Sequence, residues 1–140
     1  MRVVLDTSVI VAGLRSRLGA SNQILVAVAE QRCIPLVTTA LFFEYEAVLM
    51  RPEQRLATGM NPSDIEGFLS ALASAAEPVE VNFLWRPQLR DPSDELVLEA
   101  AVNGIARALV SHNVADFTPS ADRFGIATLT PARFLEELRK

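Results

Sequence analysis

The sequence has very few of the residues that build covalent or histidine-rich sites. Cys33 is the only cysteine, so the chain forms no disulfide framework and no cysteine-based zinc site. His112 is the only histidine, which excludes metal sites built from several histidines. If the protein binds a metal ion, its carboxylates are therefore the expected ligands.

Long apolar runs are also absent. No stretch reaches the roughly 18 apolar residues that indicate a membrane span. The first residues do not combine a charged segment, a long apolar run and a small-residue cleavage site, so we expect no signal peptide. These absences predict a cytoplasmic protein with no membrane partner.

The composition predicts a single folded domain covering residues 1–140. Half of the residues are hydrophobic and 21% are charged, which argues against disorder. The net charge of −4 provides no broad attraction for nucleic acid. A nucleic-acid substrate would therefore have to be held by metal ions and by local arginines.

Strand-like and helix-like segments alternate along the chain. This alternation predicts an α/β fold, a three-layer α/β/α sandwich with a central parallel sheet of four to five strands. The predicted strands are 3–5, 33–37, 78–83, 107–111 and 124–128. The predicted helices are 8–18, 23–31, 40–50, 61–76, 93–103 and 130–140, and the predicted connections include 51–59, 85–90 and 112–122.

Acidic residues occur where these strands end or helices begin. Asp6 ends the first strand, where its charge is costly unless a bound cation compensates it or the residue caps the next helix. Glu44 and Glu46 both lie among apolar residues of the third helix, and periodicity does not choose between them. Asp116 follows the fourth strand, in a loop where turn chemistry is the other explanation.

The helix predicted over 93–103 is the most informative segment. Asp94 begins an apolar stripe that continues through Val97, Leu98 and Ala101, so this acid shares the core-facing side. A first-turn position near the positive end of the helix dipole also explains an acid there, with Asp91 as the cap. Because the ends of parallel strands meet at one edge, these acids can converge, and Mg²⁺ or Mn²⁺ would offset their repulsion. Such a site suits phosphodiester hydrolysis.

Several segments resemble the PIN-domain family, and within it the toxin-type ribonucleases similar to VapC. The segments are VVLDTSVIVAGL, LFFEYEAVLMRP, RDPSDELVLEAAV and LVSHNVADF followed by FGIATLTPARFLEEL. Where the commoner family pattern has Gly-Asp, this chain has His112-Asn113, so Asn113 replaces one carboxylate. His112 itself fits a polar loop residue better than a general base.

The resemblance implies a Mg²⁺- or Mn²⁺-dependent ribonuclease, the toxin of a toxin–antitoxin pair. It implies metal binding by Asp6, Glu44, Asp94 and Asp116, with Thr7, Ser8, Glu95 and Asn113 in supporting positions. It further implies a homodimer and a cognate antitoxin protein. Arg15, Arg17, Arg51 and Arg55 are the candidates for contact with the RNA backbone, and a solvated surface is the alternative for each.

Three other functions are alternatives to this one. A phosphotransfer receiver needs a lysine near its acids, and the only lysine is Lys140 at the end of the chain. A phosphatase of the haloacid-dehalogenase type needs a second aspartate where Ser8 stands. The remaining alternative is a PIN-like module that binds RNA or protein without cleaving, which Asn113 and the acidic composition keep open.

Overall fold

Five short parallel strands form the centre of the molecule. The computed structural model describes residues 1–83 and 88–140. Within these residues the strands are arranged in the order β3-β2-β1-β4-β5. They are β1 (Arg2–Leu5), β2 (Ile34–Val37), β3 (Glu77–Pro78), β4 (Ala108–Val110) and β5 (Ala127–Leu129).

Eight helices of the described residues flank this sheet. They are α1 (Thr7–Arg15), α2 (Ala20–Ala29), α3 (Thr39–Leu49), α4 (Pro52–Thr58), α5 (Pro62–Ala75), α6 (Pro92–Asn103), α7 (Val114–Arg123) and α8 (Pro131–Leu138). The predicted α/β/α sandwich with a parallel sheet is therefore confirmed. No helix in the described ranges is both long and apolar enough to span a bilayer.

The central strand positions the acidic edge of the sheet. Val3, Val4 and Leu5 are fully buried because β1 has a neighbouring strand on each side and helices over both faces. The chain passes from β1 through β2 to β3 on one side, and then returns to β4 and β5 on the other. The strand order therefore reverses between β1 and β4, and ligands in open parallel sheets bind beyond the strand ends at such a point.

The prediction of a loop over 112–122 is wrong, because most of this segment forms α7. Pro119 lies inside this helix and cannot donate its backbone to the carbonyl of Ala115. The helix nevertheless buries Phe117 and Ala121, and this tertiary packing outweighs the local cost of proline. Asp116 consequently lies in the first turn of a helix rather than in a loop.

Two further segments differ from the prediction. The connection predicted over 51–59 contains α4, which begins with Pro52 in its first turn and ends at Gly59 with φ of 73°. None of its residues is buried, so it left no apolar pattern in the sequence. The strand predicted over 78–83 is reduced to Glu77–Pro78, and the backbone N–H groups of Asn82 and Phe83 donate to the side chain of Asn103 instead of to a strand.

The remaining predicted elements are present with shifted ends. The first helix ends at Arg15 rather than at 18, and the last strand is Ala127–Leu129 rather than 124–128. Gly125, with φ of 71°, forms a turn, and the strand therefore begins three residues later than predicted. Of the loop predicted over 85–90, residues 85–87 lie outside the described part of the chain.

Candidate metal centre

Asp6 occupies the point between β1 and β4 where the strand order reverses. Its side chain is buried, with 6% of the residue exposed, and its backbone N–H donates to Val110 at 2.9 Å. The hydroxyls of Ser8 and Ser111 both donate to Oδ2 of Asp6, each at 2.7 Å. These two bonds hold the carboxylate of Asp6 in one orientation. No described residue donates to Oδ1, so this oxygen is available to a ligand.

Ser111 was missed as a site residue by sequence reasoning. It is fully buried directly after β4, and its Oγ also accepts a hydrogen bond from the backbone N–H of Asn113 at 2.9 Å. One serine therefore ties the start of the β4–α7 connection to Asp6. The sequence offered one signal for this role. Ser111 directly follows a buried strand, as Asp6 does.

Thr7 and Ser8 extend this arrangement into the start of α1. Oγ1 of Thr7 is buried and has no hydrogen-bond partner within the described residues. Ser8 accepts a long bond, 3.4 Å, from the backbone N–H of His112. A buried hydroxyl without a partner is costly, and a bound ion or water beside Asp6 would satisfy it.

The imidazole of His112 is tied to α2. Its Nε2 lies 2.8 Å from the Oγ of Ser21, a buried residue of that helix. The contact fixes the ring against the scaffold, as expected of a polar structural residue. It agrees with the interpretation that sequence reasoning favoured over a general base.

Asp94 lies in the first turn of α6 and is half-buried. Burial raises its pKa, and the negative charges of Asp6, Asp91, Asp116 and Glu95 raise it further, to about 6. The charges of Asp6 and Asp116 act on Asp94 because the carboxyl ends of β1 and β4 and the first turns of α6 and α7 lie at the same edge of the sheet. The structure thus places Asp94 within electrostatic range of Asp6 and Asp116, two of the other predicted metal ligands.

Glu44 reaches the same edge from α3. It is half-buried, and its Oε1 accepts a hydrogen bond from the hydroxyl of Ser93 at 2.9 Å. Ser93 immediately precedes Asp94, so this bond places Glu44 beside the start of α6. Glu46, which periodicity could not separate from Glu44, has no hydrogen bond to α6 in the described residues.

The predicted supporting residues have different surroundings. The carboxylate of Glu95 accepts hydrogen bonds from the backbone N–H groups of Gln88 and Leu89, so it holds the segment before α6. Asn113 and Asp116 are exposed, and the backbone N–H of Asp116 donates to the carbonyl of Asn113 at 3.0 Å. Asn113 is thus the N-cap residue of α7, and Asp116 lies in the first turn of that helix.

A local comparison within the chain separates Asp94 from an ordinary first-turn acid. Helix α5 begins with Asn61-Pro62-Ser63-Asp64, and α6 begins with Asp91-Pro92-Ser93-Asp94. Asp64 is exposed and accepts a hydrogen bond from the backbone N–H of Asn61 at 3.0 Å, which completes a capping box. Asp94 forms no such bond. The same Pro-Ser-Asp sequence therefore gives a satisfied cap at α5 and an unsatisfied acid at α6.

The predicted RNA-contact arginines lie on α1, α4 and their flanks. Arg15 ends α1, Arg17 follows it, Arg51 caps α4, and Arg55 donates to the carbonyl of Met50 at 3.2 Å. Helices α1 and α4 pack against each other. None of these four arginines forms an ion pair with a described carboxylate.

The donor set fits a hard divalent cation, although the ligands are not assembled around one. Within residues 1–83 and 88–140 no group of three or more His, Cys, Asp or Glu side chains lies in metal-holding geometry. The available donors are carboxylate and hydroxyl oxygens, which Mg²⁺ and Mn²⁺ prefer. The crowding that raises the pKa of Asp94 is the electrostatic feature that a cation would relieve.

Comparison with known proteins gives one family. The family model described as the PIN domain matches residues 2–115, well over half of the chain. The matched region includes Asp6, Glu44 and Asp94, and it ends one residue before Asp116. No curated protein and no solved structure matches the chain. On the family match and the parallel sheet with its acidic edge, the chain belongs to the PIN-domain family.

Proposed function

We propose that the protein is a Mg²⁺- or Mn²⁺-dependent endoribonuclease that hydrolyses phosphodiester bonds of RNA. PIN domains are typically metal-dependent nucleases, so membership of the family supports a hydrolase of this general type. The observation that carries the proposal is the crowding of carboxylates at the strand ends, where Asp6 and Asp116 raise the pKa of Asp94. A divalent cation would make that crowding favourable.

The proposed ligands are Asp6, Glu44, Asp94 and Asp116. Oδ1 of Asp6 is the available ligand atom, because Ser8 and Ser111 already occupy Oδ2. A bound cation would activate a water and stabilise the leaving oxygen. In the proposed hydrolysis the water oxygen would form a bond to phosphorus, the bond to the leaving ribose oxygen would break, and a proton would return to that oxygen.

The residues around these acids have proposed positioning roles. The role proposed for Thr7 is contact with the attacking water or a phosphate oxygen, and its support is that Oγ1 is buried without a partner among the described residues. Ser8 holds Asp6, and Asn113 completes the polar edge where the resemblance would lead us to expect a carboxylate. Glu95 supports the site indirectly, by holding the segment that leads into α6.

We place the RNA backbone along α1 and α4. Arg15, Arg17, Arg51 and Arg55 are free of ion pairs with the described carboxylates, so their charges are available to phosphates. Helix α1 begins next to Asp6 and ends at Arg15, which is about 13 Å along its axis. Phosphates a few nucleotides from the cleavage site would therefore reach these arginines.

The finer proposal is a cytoplasmic toxin of a type II toxin–antitoxin pair, similar to VapC, acting as a homodimer that a cognate antitoxin inhibits. Its support is the resemblance of the segments around the acids. The exposed side chains of Phe43 and Leu56, at 59% and 87%, provide apolar surface for a protein partner. Light scattering tests the dimer, since one chain has a mass of 15.3 kDa.

The experiment that tests the activity is RNA cleavage by the purified protein with Mn²⁺, beside Asp6→Asn, Asp94→Asn and Asp64→Asn. We expect cleavage by the wild type and by Asp64→Asn, and none by the two site variants or in EDTA. Wild-type protein that binds RNA without cutting it would instead support a PIN-like binding module. Equal cleavage by all four proteins would contradict the proposed site.

A further inference from the structure

Ser93 connects the two helices that carry Glu44 and Asp94. Its hydroxyl donates to Oε1 of Glu44 at 2.9 Å, and its backbone N–H donates to Oδ1 of Asp91 at 2.9 Å. A serine hydroxyl has one proton to donate, and here that proton goes to Glu44. The serine is therefore fixed through its backbone to the α6 cap and through its side chain to α3.

The bond to Glu44 does not follow from the local sequence. Ser63 occupies the corresponding position of α5, after a cap residue and a proline and before an aspartate, yet it is exposed and its hydroxyl forms no hydrogen bond to a described residue. Ser93 differs because α3 packs against α6 and presents Glu44 to it. The contact thus belongs to the tertiary structure of the acidic edge.

The position of Glu44 depends on this contact. No other described residue donates to its half-buried carboxylate, so without the Ser93 hydroxyl the side chain of Glu44 would be free to turn towards solvent. One donor at Oε1 opposes that movement and leaves Oε2 available to a ligand. Hydrogen-bond partners of this kind orient metal ligands and account for about 10- to 100-fold in metal affinity.

We propose that Ser93 is a positioning residue that holds Glu44 in the orientation required for metal binding. The inference rests on the proposed function, because it assigns Ser93 a role in the metal centre of the nuclease. Ser93 acts through Glu44 and does not itself contact the cation. Its loss weakens cation binding, and a high concentration of cation compensates for that loss.

The test is the dissociation constant of Mn²⁺, measured by electron paramagnetic resonance of the free ion. We expect Ser93→Ala to weaken binding about tenfold. Ser93→Thr retains the hydroxyl and should stay close to the wild type, and Ser63→Ala is the matched control that should not change. RNA cleavage by Ser93→Ala should be reduced at low Mn²⁺ and recover at saturating Mn²⁺, with the rate at saturation close to that of the wild type.

Two outcomes would overturn the inference while leaving the proposed function intact. One is wild-type Mn²⁺ affinity in Ser93→Ala when Glu44→Gln binds weakly. The other is wild-type affinity in Glu44→Gln when Asp6→Asn and Asp94→Asn lose binding. Failure of the wild type to bind Mn²⁺ would contradict the proposed function itself.

Discussion

The ionised carboxylate of Asp94 lowers the free energy of unfolding of the metal-free protein. Its pKa is raised from 3.8 to about 6 by burial and by four neighbouring acids, so the ionised carboxylate is less favourable in the folded chain than in the unfolded one. Protonation of Asp94 therefore makes its full contribution to the free energy of unfolding below about pH 4. That contribution is lost as the pH rises through about 6.

The first prediction concerns stability at the residue scale. In EDTA, Asp94→Asn should raise the Tm at pH 7.5 and change it little at pH 4, because only the ionised carboxylate is penalised. Asp64→Asn, at the exposed corresponding position of α5, should not raise the Tm at either pH. Calorimetry at the two pH values measures both effects, and a lower Tm for Asp94→Asn than for the wild type at pH 7.5 would contradict the interpretation.

The sequence allowed some of these residues to be identified and left others hidden. The apolar stripe that follows Asp94 predicted its core-facing position, and the structure finds it half-buried near Asp6 and Asp116. Ser111 and Ser93 were not found, because a serine reveals its partner only when distant elements have come together. For the same reason, periodicity could not distinguish Glu44 from Glu46 as the candidate site residue. In the structure Glu44 accepts a hydrogen bond from Ser93 at the start of α6.

At the scale of elements, α1 is held in place by close packing against α2. A Cβ added to Gly13 in α1 would lie 2.6 Å from Cδ1 of Leu25 and 3.1 Å from the carbonyl oxygen of Ser21. Asn22 also donates from its side chain to the carbonyl of Gly13 at 2.9 Å. Because α1 begins directly after Asp6, this contact helps to fix the acidic edge.

The second prediction compares two glycines inside helices. Gly13→Ala should lower the free energy of unfolding by about 1–2 kcal/mol, since the methyl group forces α1 and α2 apart. Gly67→Ala in α5, where an added Cβ meets no atom within 4 Å, should raise it by about 1 kcal/mol. Urea denaturation measures both, and an equal gain in stability from the two substitutions would contradict the packing argument.

The elements that sequence reasoning missed have physical explanations in common. Helix α7 contains Pro119, which locally opposes a helix, and the burial of Phe117 supplies the compensation from outside the segment. Helix α4 buries nothing, so it has no apolar period to detect. Beyond the short strand β3, Asn82 and Phe83 donate their backbone hydrogen bonds to the side chain of Asn103, about twenty residues away, which no local pattern reveals. The buried strands β1, β2 and β4 were predicted because their apolar runs are sufficient by themselves.

At the scale of the whole molecule, the proposed function requires the protein to bind a polyanion while carrying a net charge of −4. The proposed RNA contacts are therefore few and local, on α1, α4 and their flanks. Each phosphate contact to single-stranded nucleic acid contributes about −0.7 to the slope of log K against log salt. Four arginines would give a slope of about −3.

The third prediction is this salt dependence, measured by fluorescence anisotropy of a labelled single-stranded RNA with the Asp94→Asn variant in EDTA. Adding Arg51→Gln should make the slope shallower by about 0.7, because one phosphate contact is lost. Arg133→Gln is the control, since Arg133 lies 3.7 Å from Glu136 in an ion pair on α8. An equal change in slope for the two arginine substitutions would contradict the proposed path of the RNA.

The central claim is that carboxylates from separate elements of the chain meet to bind a divalent cation. The most direct measurement is an anomalous difference map from a crystal of the wild-type protein soaked in Mn²⁺. The proposed function predicts a manganese peak between Asp6 and Asp94, within coordinating distance of their oxygens, and its loss in Asp94→Asn. A fully soaked crystal without manganese at this edge of the sheet would contradict the claim.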